Sequence, residues 1–283
     1  MKLCILGGGL TGLSLAKSLA KKGLSIDIFL NKKRSDFNRS RTIGISNDNL
    51  LYFNKEILNI KKLFWDITRI EIYSDNLKNE KILNFENNNK TLFSTIRNYQ
   101  LQSKLLISLK KDKLCKFKHN FDYNLSNLKK YNLIINCENN NYFSKKFFAR
   151  SLKKKYDSFA YTTILKHKKI RNNTAFQIFT KYGPLAFLPL SEIETSIVYS
   201  IKGKKNINLK ELIKKYNTKY SITNFGIINF FELKSSNLRI YYHKNVLAFG
   251  DLLHRLHPLA GQGFNMTIRD IQDLSNLIDL RLK

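Results

Sequence analysis

Acid is scarce in this chain: its 283 residues carry 21 Asp and Glu against 50 Lys and Arg, a formal charge of +29. Proline is scarcer, with three in all, which leaves few rigid punctuation marks between elements. The three cysteines, Cys4, Cys115 and Cys137, are odd in number and have no C-x-x-C spacing. Neither a disulfide framework nor a zinc site is suggested, and a reducing compartment is the default expectation. No stretch approaches the ~20 apolar residues that cross a bilayer. The apolar start from Met1 to Ala20 could pass for a secretory signal, but its glycine spacing argues otherwise. There is no internal repeat and no Pro/Gly/Ser linker.

What is present is a hydrophobic content of 43%, enough for a substantial core and against disorder. The cations are dispersed in short runs, such as Lys32-Lys33-Arg34, Lys110-Lys111 and Lys153-Lys154-Lys155, rather than gathered on one arm. Summed positive charge attracts anionic partners. Lys, Asn and Ile are abundant together throughout, which reads as compositional drift. No reader motif accompanies the charge, so nucleic acid is not an expected partner, whereas attraction to a membrane surface remains open.

Hydrophobic periodicity places a strand at Leu3–Leu6, a helix from Leu10 to about Gly23 and a second strand at Ser25–Leu30. This βαβ start predicts a parallel sheet flanked by helices. Strand-like segments follow at Ile67–Tyr73 and Lys81–Phe85, then a helical stretch around Leu101–Leu109 and strands at Leu114–Phe117 and Tyr131–Cys137. From Tyr156 to Tyr242 the pattern is mostly β, with one helix at Leu209–Tyr216. Asn245–Phe249 is a strand, and Phe264 to Ile278 an amphipathic helix. The expected class is α/β: a Rossmann-like nucleotide-binding domain of residues 1–63, 98–155 and 243–283, interleaved with a β-rich domain of residues 64–97 and 156–242.

Two glycine-bearing segments carry the chemistry. Gly7-x-Gly9-x-x-Gly12 follows a strand and opens a helix, the context that the dinucleotide fingerprint requires. Gly7 permits the turn, Gly9 lets backbone approach a pyrophosphate, and Gly12 lets the helix pack close to the strand. An acid usually follows the second strand to bind a ribose; here Asn31 stands there, an amide able to hydrogen-bond a hydroxyl. The second segment is Gly250-Asp251-Leu-Leu-His254-Arg-Leu-His257-Pro258-Leu-Ala-Gly261-Gln262-Gly263-Phe-Asn265, with Asp270 beyond it. His254 and His257 have a metal-like spacing but no third ligand beside them, so a structural role is preferred and no metal is expected.

The second segment closely resembles the G-D-A-A-H…P…G-Q-G-x-N flavin motif of the para-hydroxybenzoate hydroxylase superfamily, particularly its ubiquinone-biosynthesis branch. Three further segments resemble that family in order: Arg41-Thr-Ile-Gly-Ile-Ser46, Asn98-Tyr-Gln-Leu-Gln102, and Gly183-Pro184-Leu-Ala186-Phe-Leu-Pro189-Leu190. A departure is Cys137-Glu138-Asn139-Asn140-Asn141, where the family has A-D-G. A second departure is that members of that family continue past the corresponding helix with helices that cover the pocket, whereas this chain stops at Lys283.

The resemblance implies FAD as cofactor. Asp251 would accept bonds from ribityl hydroxyls, and the bare N–H groups at Gly261 and Gly263 would face the edge of the ring that becomes anionic on reduction. Arg41, Gln102, Pro258, Gln262 and Asn265 complete the implied cofactor site with Gly7, Gly9, Gly12 and Asn31. NAD(P)H would reduce the flavin, and oxygen would then hydroxylate a polyprenylated phenol of ubiquinone biosynthesis. No side chain is assigned as acid or base, because the cofactor carries the hard chemistry. A cytoplasmic protein peripheral on the inner face of the cytoplasmic membrane, associated with a ubiquinone-synthesis complex, is implied. The alternative is a non-catalytic flavoprotein relative acting as an assembly component.

Overall fold

The computed structural model describes residues 1–30, 40–75, 80–88, 90–203, 207–255 and 262–282. The chain opens with β1 (Lys2–Leu6), α1 (Leu10–Lys21) and β2 (Ser25–Leu30). After β3 (Thr42–Ser46), α2 (Asn47–Tyr52) runs into a π-helical turn, and β4 (Trp65–Ile67), β5 (Arg69–Ser74), β6 (Glu80–Glu86) and β7 (Phe93–Arg97) follow. Then come α3 (Asn98–Lys110), β8 (Cys115–His119), α4 (Leu125–Lys129), β9 (Leu133–Asn136) and α5 (Tyr142–Lys146). The long β10 (Ser151–His167) leads to β11 (Thr174–Thr180), β12 (Gly183–Pro189), β13 (Glu194–Lys202), α6 (Leu209–Tyr216), β14 (Ile222–Phe225) and β15 (Asn229–Leu238). The last described elements are β16 (Tyr242–His243), β17 (Val246–Ala248), β18 (His254–Arg255) and α7 (Gln262–Leu282).

A six-stranded sheet has the order β16-β17-β9-β1-β2-β8. From β17 to β8 every pair is parallel, with Ile5 opposite both Ile28 and Ile135. β1 and β9 are nearly continuous apolar runs because both of their faces are covered. On one face lie Leu13, Ala16 and Leu19 of α1, Leu101 and Leu105 of α3, and Ile268 and Ile271 of α7. On the other, Cys4, Leu6, Ile134 and Val246 pack on Phe143 and Phe148. The order of strands reverses between β1 and β9, since β2 and β8 extend to one side and β9 and β17 to the other. That makes the carboxyl ends of β1 and β9 the crevice where open α/β sheets take their ligands.

The nine-stranded sheet runs β18-β15-β10-β13-β12-β11-β5-β6, with β14 also on β10. α6 covers it, burying Leu209, Ile213 and Tyr216 against Leu165, Phe187, Ile197 and Tyr199. β10 runs through position 155/156 with a bulge between Lys155 and Ser158, and β7 pairs with both β3 and β4 in a small third sheet. That third sheet is fastened to the large one by polar contacts. Thr42 Oγ1 lies 2.9 Å from Ser196 Oγ, Arg97 meets Glu194 at 2.6 Å, and Thr95 donates to the Pro189 carbonyl.

One charge is buried inside the parallel sheet. Asp27 on β2 is 1% exposed and accepts from Lys118 Nζ and Tyr131 OH, each at 2.7 Å, with Lys2 Nζ at 3.4 Å. Burial pushes its carboxyl up, but the bonds from Lys118 and Tyr131 and the charges of Lys118 and Lys2 win and hold it below the ordinary carboxylate range. The folded state therefore binds this proton less readily than the unfolded chain. Its stabilisation is complete above the unfolded value near pH ~4 and is lost as pH falls through the lower folded value. Asp27→Asn is expected to cost about 2 kcal/mol at neutral pH. Thermal melts by circular dichroism should show that penalty shrinking below pH ~4, and a penalty equal at all pH values would refute the linkage.

Candidate functional site: two glycine turns at one sheet edge

The first turn is built at the end of β1. Gly7 has φ +123°, where an L side chain is strained, and its N–H donates to the Phe29 carbonyl at 3.0 Å. A Cβ on Gly12 would lie 2.1 Å from the Gly7 carbonyl oxygen, so α1 can begin this close to β1 only with glycine there. Gly9 is the N-cap of α1 in extended conformation; no side chain caps the helix and no acid occupies its first turn. The first turn of N–H groups is thus left for an anion, which fits a diphosphate.

Around this turn the neighbouring strands deliver polar groups. A Cβ on Gly7 would meet Glu138 Cγ at 3.1 Å and Cys137 Cβ at 3.4 Å, so the end of β9 lies against the turn. Gln102 of α3 donates to the Gly8 carbonyl at 2.7 Å. The Asn98 N–H at the start of α3 donates to the Arg41 carbonyl at 3.0 Å, which brings Arg41, itself exposed, beside the same helix start. Asp251 sits in a short 3-10 turn after β17 and is exposed. A Cβ on Gly250 would lie 2.4 Å from Thr11 Cγ2, so this turn abuts the first turn of α1. Desolvation, then the negative charges of Glu138 and Asp251, pushes the Cys137 thiol up, which places both carboxylates within electrostatic reach of the β9 end.

The second turn leads into α7. α1 and α7 run parallel, since Ser18 Oγ meets Ser275 Oγ at 3.0 Å and, one turn on, Lys22 pairs with Asp279. Both helices therefore present their N-termini to the same end of the molecule. Gln262 is exposed at the first position of α7, and among the described residues a Cβ on Gly263 would meet nothing within 4 Å. The partial positive charge of a helix start suits a ring edge with partial negative charge.

Asn265 holds that helix start in place. Its Oδ1 accepts from the Ser46 N–H at 2.9 Å and from Asn49 Nδ2 at 2.9 Å, and its Nδ2 donates to the Gly44 carbonyl at 2.8 Å. The amide is thus engaged by β3 and α2, and its contribution to a ligand would come through the helix it anchors. His254 Nε2 lies 2.9 Å from Asp270 Oδ2, a contact that ties the Asp251 turn to the third turn of α7. Asn31, His257, Pro258 and Gly261 fall outside the described residues.

Gly7, Gly9, Gly12, Gln102 and Asp251 are therefore gathered at one sheet edge, while Gln262, Gly263 and Asn265 open the parallel neighbour helix. Thr11 and Glu138 join them without having been marked by sequence. Glu138 precedes an asparagine-rich turn across which buried Asn136 bonds Asn141 and Ser144 at 3.1 and 3.0 Å, and Asn141 caps α5.

No protein-family model matches the chain. Among characterised proteins it is 30% identical to the 3-demethoxyubiquinol 3-hydroxylase of Escherichia coli K12 over 115 residues, 38% of this chain and 29% of that one. It is 26% identical to the mitochondrial ubiquinone biosynthesis monooxygenase of Danio rerio over 172 residues, 45% of this chain and 36% of the relative. The matched segments thus span about a third of these relatives. Among solved structures, p-nitrophenol 4-monooxygenase of Pseudomonas putida superposes with a TM-score of 0.77 at 11% identity, covering 97% of this chain and 78% of the other. PqsL of Pseudomonas aeruginosa, described as a probable FAD-dependent monooxygenase, superposes with a TM-score of 0.78 at 14% identity, covering 100% of this chain and 86% of its own. A Rossmann-like parallel sheet, an interleaved and mostly antiparallel sheet and the Gly7–Gly12 turn, read with these likenesses, give the chain the fold of the FAD-dependent monooxygenases and make it a sequence relative of the ubiquinone-biosynthesis hydroxylases.

Proposed function

We propose that this chain is an FAD-dependent aromatic-ring monooxygenase that hydroxylates a polyprenylated phenol of ubiquinone biosynthesis, with NAD(P)H as reductant. The observation that carries the reading is the arrangement of the two glycine turns. One uncapped helix start, at Gly9, is shaped for a diphosphate; a second, at Gln262–Gly263, points the same way and is anchored by Asn265. Asp251 follows Gly250, whose turn abuts Thr11 at the start of α1. When bound, the flavin would supply the redox and oxygen-transfer chemistry.

The residues of the chain have the remaining tasks. Gly9 and the N–H groups of α1 would bind the diphosphate, and Asp251 would accept hydrogen bonds from ribityl hydroxyls. Gln102 and Arg41 would border the cofactor from the α3 side, and Asn31, Pro258 and Gly261 would complete its cradle. The N-terminus of α7 would stabilise negative charge on the ring edge. The β-rich part, residues 64–97 and 156–242, would supply the substrate wall. Among the described residues no helix is long and apolar enough to cross a membrane, and a polyprenyl substrate would bring the chain to a membrane face from the cytoplasmic side, within reach of other enzymes of the same pathway.

The test begins with purified protein, which should be yellow and should oxidise NAD(P)H faster when a polyprenyl phenol is added. Asp251→Ala should weaken flavin binding by roughly 10- to 100-fold, the loss of hydrogen bonds to a charged acceptor. Equilibrium dialysis against FAD reads the change. A folded Asp251→Ala protein that holds flavin as tightly as the parent would remove Asp251 from the site.

A further inference from the structure

The surface around β10 and β15 combines features that the flavin reading leaves unused. Residues 139–156 contain six Lys or Arg and no acid, and residues 233–250 contain three Lys or Arg and no acid. These two segments are neighbours in space. Ser151 lies opposite Leu238 in the β10–β15 ladder, the Arg239 N–H donates to the Arg150 carbonyl at 3.1 Å, and Phe147 stacks on His243 with ring centres 4.1 Å apart. The two segments therefore bring their cations into one region of the molecule, where Lys234 is paired with Glu232 at 2.6 Å.

Apolar side chains stand among them in water. Leu152 is 59% exposed, Ile240 50%, Tyr241 51% and Tyr242 64%. Beside Leu152, an open pocket of about 290 Å³ is lined by Lys153, Lys154, Arg255, Ser235, Ser236 and Asn237. With Tyr156, whose hydroxyl accepts from Ser235 Oγ at 3.1 Å, the lining offers three cations, three hydroxyls and an amide, a donor set suited to a phosphate.

We propose that this face docks on an anionic phospholipid bilayer, with the pocket receiving a lipid phosphate and Leu152, Ile240, Tyr241 and Tyr242 entering the headgroup boundary. Tyrosines and aliphatics flanked by Lys and Arg are the composition of an interfacial anchor. The charge favours anionic lipid, at a gain of about fivefold in affinity per cation near the surface. A nucleic acid would use the cations but leave Leu152 and Ile240 without a role. Arg255 lies directly after His254, so docking here would set the proposed cofactor edge next to the bilayer. This deepens the functional reading by naming the face, yet its test needs neither flavin nor turnover.

The full chain is sedimented with phosphatidylcholine vesicles that contain or lack phosphatidylglycerol. Binding should require the anionic lipid. The triple variant Lys153→Glu, Lys154→Glu, Arg255→Glu should bind roughly 100-fold more weakly, and Tyr241→Ser with Tyr242→Ser roughly 10-fold more weakly. The control reverses Lys210, Lys214 and Lys215, exposed on α6, to Glu; it has the same net charge as the first variant and should bind nearly as the parent does. Unchanged melting temperatures certify folding, and Lys153→Gln with Lys154→Gln replaces the triple variant should it melt early. Equal loss in the control, failure of the parent to bind anionic vesicles, or equal capture by duplex DNA would overturn the assignment. Lipid binding as expected in a protein that takes up no FAD would leave this face standing and remove the functional reading instead.

Discussion

Valine at position 12 is expected to yield a chain that takes up no flavin and has lost most of its stability. A Cβ at that position would lie 2.1 Å from the Gly7 carbonyl oxygen, 3.2 Å from the Gly7 carbonyl carbon and 3.3 Å from Ile5 Cγ2. Two of those atoms are backbone at the end of the strand in the centre of the parallel sheet, so neither can step aside without breaking β1–β2 or β1–β9 pairing. Relief requires α1 to lift away, which uncovers Leu13, Ala16 and Leu19. A loss of ~4 kcal/mol or more is expected, beyond the usual cost of overpacking. Urea unfolding followed by tryptophan fluorescence at Trp65 and by circular dichroism measures it. Gly263→Ala is the informative contrast. Its added methyl meets no atom of the described residues within 4 Å, so stability should change by less than ~0.5 kcal/mol. If a ring lies against that helix start, flavin affinity should nevertheless fall. Stable Gly12→Val protein, or Gly263→Ala protein with full affinity, would contradict the geometry from opposite directions.

Asn265→Ala is expected to be nearly as damaging, although it removes only a small side chain. The deletion strands the Ser46 N–H and the Gly44 carbonyl, and leaves Asn49, which is 5% exposed, with only the longer bond from its Nδ2 to the Asn265 carbonyl at 3.2 Å. Stranded buried partners cost more than the lost bonds themselves. A penalty of about 3 kcal/mol, or roughly 8 °C in melting temperature, is expected. Asn265→Asp keeps Oδ1 as acceptor and loses only the donor to Gly44, so it should be less destabilised. Flavin affinity should follow the same ranking, because the helix start swings with its anchor. A drop under ~1 kcal/mol for Asn265→Ala would show that Phe264 packing on Phe53, at 6.4 Å between ring centres, suffices to hold it.

The elements that can be read from the sequence are those whose pattern is local and long. β2 (Ser25–Leu30) and α6 (Leu209–Tyr216) coincide with the expected spans, and α1 and α7 follow from apolar residues recurring on one side. Both glycine segments are legible for a similar reason: close approach leaves a residue type that nothing else replaces. The small sheet is not legible. Thr42–Ser46 alternates correctly, with Ile43 and Ile45 buried, but its partner Phe93–Arg97 is distant in sequence and nothing local names it. Helix α2 is short and runs into a π-helical turn, so no period establishes itself. The asparagines are the other blind spot. Asn49, Asn136 and Asn172 are buried and organise hydrogen-bond networks, yet in an Asn-rich chain they look like the solvent-facing ones. Their importance is a property of burial, which composition does not encode. His254 is comparable: its spacing suggests a ligand, and its partner turns out to be Asp270 on the next helix.

The parallel sheet draws its strands from residues 2–30, from 115–136 and from 242–248. A ribosome emits these pieces in order, so β9 must wait for β17 with one edge of peptide groups bare while more than a hundred residues are still being made. During that interval the growing chain displays an apolar strand edge, the state most apt to recruit another unfinished copy. Chaperone demand and inclusion-body formation should therefore be set by the late arrival of Val246–Ala248 rather than by any weakness of the finished molecule.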